Sequence, residues 1–599
     1  MENKKQAIIL SGVAIVALLA LIIGATYAYF RASGNSGSNT DINVTTYTLD
    51  LLSFEMGSDI KINADQTSFA SGKGNATGST FAKAILTANN KTNTATKNYY
   101  MYLNISNNTF TYTQNENTPE LLLTITDVSG NAITSITGLT YKTVIDGKGT
   151  SVSGFDITTK SGLLTLFDNR EITASPTKTE EWNVTVTFVN YNVNQTGNAG
   201  KSFNAKLMIQ QEEYELTLAD ICAGKTLSDC VISQYTGTQG DNALYYHNST
   251  LTNGAGDNSY RYAGGDYVLT EAGKATGATM MIGYNNSVTT ALIDFYCNGT
   301  KQYVGYASSC STSHYYLIKG DTTQYQTYNE ALNASVEKGY LTKDNVKNFV
   351  CFGSDATTCP TENLYRIIGV FNNHVKLIKY DYAKSSLLGT DGDFSQEYTS
   401  NYFSGEQGES PSSNSLYYWN NAGTNTWSAS KLNTVNLNTN FTTNIGTAWA
   451  NKIATTTWKV GGGTYANLRD AVPKTAYQYE VGSSASTTTY DAKIGLMYVS
   501  DYYYSASPSA WTLVGYNSDY TKSYASAKGE NWLYGGGWDW TISRPSDDSF
   551  NAFIVYFYGS VSSYFVDLYD FGVRPSFSLL SSTTYVSGSG SMSDPVRIN

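Results

Sequence analysis

Strict alternation of apolar and polar side chains constrains this chain most, because it recurs through the first third of the sequence. Trp182, Val184, Val186 and Phe188 alternate with Asn183, Thr185 and Thr187. Met101, Leu103 and Ile105 alternate with Tyr100, Tyr102 and Asn104, and Leu121, Leu123 and Ile125 with Leu122, Thr124 and Thr126. Successive side chains of a strand point to opposite faces, so each run has one buried and one wet face. Asn- and Gly-rich turns separate the runs. Residues 41–210 are therefore expected to form an antiparallel β-sandwich.

A chain of 599 residues exceeds what one core encloses, so about two to four domains are expected. Only 15% of residues are charged, against about 25% in ordinary domains. With 41% hydrophobic and 13% aromatic residues, the chain has ample material for cores and is not disordered. Its 49 Tyr and 52 Gly favour strands and tight turns, which makes the whole mainly β. A net charge of −11 excludes a nucleic-acid partner, which would require phosphate-neutralising Lys and Arg.

Lys4 and Lys5 precede an apolar run at 7–25, broken only by Ser11, Gly12 and Gly24. About 20 such residues span a bilayer as a helix, and the leading bases place everything after Arg31 outside the cell. Residues 1–30 read as a signal peptide or a membrane anchor; Thr26-Tyr27-Ala28 offers small residues for a signal peptidase. Residues 31–40 read as a flexible tether. The cysteines agree with export, and nearest-neighbour pairing is favoured: Cys222 with Cys230, Cys297 with Cys310, Cys351 with Cys359. Each pair encloses a turn-like segment. There is no C-x-x-C, and His247, His314 and His374 are scattered, so no metal site and no cofactor are expected.

Residues 211–240 form a connector that opens on a helix-like run at 214–223. A domain at 241–599 follows, interrupted by an insertion at about 265–345 that closes with a helix at 328–338. Within the domain, 365–371 and 374–380 form a hairpin around Asn372-Asn373. Phe441, Ile445, Trp449 and Ile453 recur at helical spacing across 432–455. The apolar run 492–502 reads as a buried strand, and the tail 585–599 as a last strand returning to the start of the domain.

The stretch 550–577 is the candidate functional surface. Ala552, Phe553, Val555, Gly559, Val561, Val566, Gly572, Val573, Arg574 and Pro575 read as frame, with Tyr and small polar residues between them. Rings and hydroxyls on a rigid frame give large contact area at little rotamer cost. The candidate ligand contacts are Trp538, Trp540, Tyr556, Tyr558, Tyr564, Phe565, Asp567 and Tyr569, with core packing the competing role for the two tryptophans. Arg544 and Arg574 are expected to hold backbone carbonyls. No G-x-S-x-G or H-E-x-x-H occurs, and nothing selects Asp501, Asp539 or Asp547 as glycosidase acids, so no enzyme is expected. The adjacent Asp547 and Asp548 read as a solvated turn.

Two resemblances add to this. The segments GATYAYF (24–30) and WNVTVTFVN…NAGKSFNAKLMI (182–209) resemble the TasA/camelysin family of secreted biofilm proteins, which implies a fibre-forming or stalk role. The ordered motifs NLYRIIGVF (363–371), VKLIKYDYA (375–383), AKIGLMYVSDY (492–502), WTISRPS (540–546), FGVRPSF (571–577) and SGSGSMSDPVRIN (587–599) are similar to the DUF6273 type of domain of exported Firmicutes and Mollicutes proteins. That domain in turn resembles the α+β C-type-lectin-like fold. The fold is shared with formylglycine-generating enzymes, whose late cysteine pair is missing here, and with retroelement-diversified variable proteins. Adenine mutagenesis of Asn codons would supply the Tyr, Phe, Ser and Asp found between the frame residues. The expectation is a bacterial cell-surface or secreted adhesin, held at the membrane by its N-terminal helix and binding an extracellular protein or glycan. A structural matrix protein is the alternative, and a carbohydrate-active enzyme the second.

Overall fold

The computed structural model describes residues 50–64, 73–89, 94–214, 216–282, 289–302, 310, 313–343, 345–400, 412–512, 530–535, 537–556 and 559–599. It is mainly β with predominantly antiparallel sheets and divides into units at 1–216 and 217–599. The apolar segment 7–25 lies outside the described residues, among which no helix is long and apolar enough to cross a membrane.

The first unit has two sheets around one core. Six strands run in the spatial order Leu51–Met56, Ala76–Thr87, Thr177–Phe188, Leu121–Asp127, Ser151–Asp156, Tyr141–Ile145. Four more run Ile60–Asn63, Ser202–Gln210, Ala95–Asn108, Gly162–Ala174. The alternating residues do what their period dictates: Leu123, Val184 and Val186 from one sheet and Met101, Leu103 and Leu207 from the other are buried together. Tyr102 lies on the opposite face yet is also buried. The chain after the last strand passes over it, Tyr214 donating its amide to the Tyr102 hydroxyl at 3.0 Å. Inside the core, Trp182 Nε1 donates to the Tyr99 hydroxyl at 2.8 Å, which donates to Glu180 Oε2 at 2.7 Å, and Arg170 Nε donates to the same oxygen at 2.9 Å.

The second unit is built on a central sheet ordered Leu244–Tyr246, Tyr260–Tyr262, Leu364–Phe371, His374–Lys379, Ser576–Ser578, Ile494–Gly495, with Phe349–Cys351 also paired to Leu364–Phe371. Asn372 and Asn373 take φ of 48° and 63°, the left-handed conformation that a tight hairpin turn requires. Both central strands are buried along nearly their whole length, the charged Arg366, Lys376 and Lys379 included. Five buried tryptophans tie the surroundings together through their indole N–H groups. Trp419 donates to Thr541 O, Trp540 to Tyr417 O, Trp532 to Tyr262 O, Trp458 to Ala492 O and Trp511 to Ala506 O. The region 278–341 encloses a small core of its own, closed by pairing of Val268–Leu269 with Leu341–Thr342. Its helix Tyr328–Glu337 starts in a capping box made by Thr327 and Glu330.

Three expectations are corrected. The run 492–502 is a two-residue strand, Ile494–Gly495, followed by a helix, Val499–Tyr504, whose start is capped by the Asp501 carboxylate accepting the Tyr498 amide. A short apolar run fits either element, and here the cap decides. The helix across 432–455 is two runs: Leu432–Phe441 continues directly into Thr442–Asn444, and Thr447–Ala450 follows a break at Gly446 with φ 83°. The helix at 214–223 shrinks to Leu218–Cys222, because Thr217 and Asp220 cap it late. The tail pairs Tyr585–Ser587 with Arg597–Ile598 and bridges Val596 to Val350. The disulfides are Cys222–Cys230, Cys297–Cys310 and Cys351–Cys359, which fit an oxidising, extracellular compartment.

Two stability predictions follow from buried polar groups. Tyr99→Phe leaves the Trp182 N–H without its acceptor, and urea unfolding of the first unit should show a loss of about 1–3 kcal/mol. An unchanged midpoint would show that water replaces the hydroxyl. His247 is fully buried, its Nδ1 accepting the Ala255 amide at 3.0 Å and its ring packed on Tyr504 and Trp511. Burial first, then the Arg261 guanidinium, holds its pKa well below the ordinary value. The unfolded chain therefore binds the extra proton below about pH 6.5, and stability falls as pH drops through that value. Relative to His247→Gln, the wild type should lose about 1 kcal/mol between about pH 7.5 and about pH 5.5. Glu480, raised to about 6 by burial, has the opposite sign, losing stability as pH rises through its folded value, but it is common to both proteins and cancels. A wild-type-minus-variant difference flat in pH would refute the assignment.

Candidate functional site: an aromatic cleft

The strand Asn551–Val555 pairs on one side with Asp539–Trp540 and on the other with Val561–Phe565. Ala552, Phe553, Ile554 and Val555 are all buried, so this small sheet is fixed to the core through its middle strand. The flanking aromatic residues gather beside it. Tyr556 and Tyr564 stack with centroids 6.2 Å apart and planes 6° from parallel. Trp538 lies 6.0 Å from Tyr556 and 5.5 Å from Phe571, and Tyr569 stands edge-on to Tyr564 at 4.9 Å. Trp538, Tyr556, Tyr564 and Tyr569 line an open cleft of about 280 Å³.

The cleft floor comes from distant sequence. Tyr382 lies against Gly572, where a Cβ would approach its ring to 2.2 Å, so only glycine lets the two meet. Gln396 Nε2 donates to Asp570 Oδ2 at 2.7 Å and gives the rim a polar edge. Beneath, Arg574 Nη2 donates to Asp539 Oδ2 at 2.6 Å and to Leu533 O at 2.7 Å, both side chains being buried. Burial pushes the Tyr564 hydroxyl up to about 12, with Tyr556 adding to the shift. Burial also raises Tyr382 well above the ordinary range. These two hydroxyls are neutral at every physiological pH, each able both to donate and to accept.

The sequence candidates separate into groups. Trp538, Tyr556, Tyr564 and Tyr569 converge on the cleft. Trp540 does not: it is 1% exposed, with its indole bonded to Tyr417 O and its ring 4.9 Å from Phe571. Phe565 follows Tyr564 on the strand, so it points to the other face, where it is 44% exposed. Asp567 sits by Gly423 rather than in the cleft. Tyr558 lies outside the described residues. Tyr382, Gln396 and Leu416 line the cleft and were not singled out from the sequence; only contacts across the fold bring them there.

The carboxylates weighed as glycosidase acids have structural partners. Asp501 accepts from Lys376, Asp539 from Arg574, and Asp547 from the Tyr465 amide. Asp548 holds the Phe550 and Asn551 amides in a turn. His374 Nδ1 lies 2.8 Å from Leu579 O. Among the described residues no group of three or more His, Cys, Asp and Glu could hold a metal ion. Scans against protein-family models, curated proteins and solved structures find no match for the chain.

Removing Trp540 should therefore damage the fold, whereas removing Phe565 should not. Trp540→Ala is expected to cost about 3–5 kcal/mol, and Phe565→Ala to stay within about 0.5 kcal/mol, in denaturant unfolding of the second unit. Equal effects would mean that the two rings have been assigned to the wrong sides of this sheet.

Proposed function

We propose that the chain is a bacterial cell-surface or secreted, non-catalytic binding protein whose 217–599 unit presents the aromatic cleft to an extracellular protein or glycan. The observation that carries this reading is the convergence of Trp538, Tyr556, Tyr564 and Tyr569 on one open cleft over a buried ion pair. Aromatic faces stack on sugar rings or receive apolar side chains, and rings held by packing lose little entropy when a ligand arrives. The three disulfides support action outside the cytoplasm. In this reading residues 241–599 of the second unit form a C-type-lectin-like head of the DUF6273 type. The first unit is a TasA-like stalk, and the segment 1–30 is its signal or anchor.

The test is a binding array of glycans and extracellular proteins probed with the purified chain. Binding of one ligand class is expected, with Tyr556→Ala and Tyr569→Ala each weakening it about tenfold or more and Phe565→Ala within about twofold. A ligand whose affinity ignores Tyr556 and Tyr569, or no bound ligand at all, would overturn the reading.

A further inference from the structure

A second cleft, of about 270 Å³, opens on the central sheet and shares no lining residue with the aromatic one. Its chemistry is set by strand register. Arg261 is the partner of Gly369 on one side, and Lys376 is the partner of the same Gly369 on the other. Directly opposed residues of an antiparallel ladder project to the same face. The two cations therefore stand on one face with their Cα atoms roughly 10 Å apart, two strand spacings, and with no side chain between them. Gly369 is obligatory there, since a Cβ would lie 2.3 Å from Tyr260 O.

Each cation is braced without being saturated. Lys376 Nζ donates to Asp501 Oδ2 at 2.5 Å; Arg261 donates from Nη2 to Asp257 Oδ2 at 2.5 Å and from Nε to Ser259 Oγ at 2.8 Å. An ammonium has three donors and a guanidinium five, so both keep spare ones. Phe371 serves both cations, 4.7 Å from the guanidinium and 5.9 Å from the ammonium, while Tyr498 lies 4.6 Å from Lys376. Lys459 also lines the cleft, its Nζ donating to Val481 O at 2.8 Å, and at the rim the Thr457 hydroxyl donates to Asp491 Oδ1 at 2.6 Å. Hydroxyl and amide groups of Thr456, Thr457 and Asn372 complete the lining. Charged side chains this deeply buried are expensive to hold, and their concentration in a cleft is a mark of a binding site.

We propose that this cleft binds a sugar acid, with the carboxylate bridging Arg261 and Lys376 and the pyranose ring against the aromatic wall. The paired cations favour an anion placed between them, the gap over Gly369 admits a carboxylate, and the polar lining suits ring hydroxyls. The volume accommodates about one such ring. This site is independent of the aromatic cleft and can stand or fall apart from it.

Titration calorimetry on the purified chain with glucuronate as probe tests the proposal, with glucose, benzoate and inorganic phosphate as comparisons. Saturable glucuronate binding is expected, with each comparison at least about tenfold weaker. Thr457 is exposed on the strand Thr456–Val460, so Thr457→Trp should block the cleft, weakening glucuronate about tenfold or more at an unchanged melting temperature. Lys376→Met should abolish the preference for glucuronate over glucose in any folded preparation. Tyr569→Ala should leave glucuronate binding unaltered, which separates this site from the aromatic cleft. Absence of saturable binding, benzoate or phosphate bound as tightly as glucuronate, or indifference to Thr457→Trp would overturn the proposal.

Discussion

The ion pair between Arg574 and Asp539 joins the two halves of the second unit's architecture. Arg574 lies three positions after Phe571 at the cleft, and Ser576, two residues on, begins a strand of the central sheet. Asp539 begins the small sheet whose middle strand is buried against the core. A buried guanidinium deprived of its carboxylate is strongly destabilising, so the pair holds the edge of the cleft to the central sheet. The bond to Leu533 O adds a third segment to the same junction. The pair is thus better understood as fixing geometry than as adding net stability.

The same economy runs through the unit. With so few charges in the chain, several are nonetheless placed inside, each with a dedicated partner. Arg366 makes two bonds of 2.7 Å to Asp266, another to Asn348, and lies against Trp532. Lys376 has Asp501, and Arg261 has Asp257. Lys379 differs: burial pulls it down to about 8, so its charge is weakly held. Tryptophan N–H groups answer backbone carbonyls in the same way. These directional bonds specify one arrangement of loops that have little regular secondary structure of their own.

What could be read from sequence follows the range of the forces involved. Alternation in 101–105 and 182–188 reports burial on one face directly, so the sheets of the first unit were legible. The hairpin at Asn372-Asn373 was legible because a turn is a local steric matter. The helix at 499–504 was not, because its cap depends on Asp501 reaching back to the Tyr498 amide, and an apolar run hides that choice. Of the candidate contacts, Tyr556 and Tyr564 were recognisable as rings on a strand frame. The inward turn of Trp540 depends on Tyr417, more than a hundred residues earlier, and Tyr382 reaches the floor only because Gly572 leaves it room. Long-range packing leaves no periodic trace.

The two clefts also differ in how they could respond to their surroundings, and the difference comes from what lines them. The aromatic cleft presents indole and phenol groups, and burial raises the Tyr564 and Tyr382 hydroxyls further from titration. Rings and neutral hydroxyls are insensitive to salt and to moderate acid. The cleft over Gly369 relies on cations, whose attraction for an anion is screened in the exposed mouth and strong at the buried floor. Charge therefore characterises the lining of one cleft and aromatic surface that of the other.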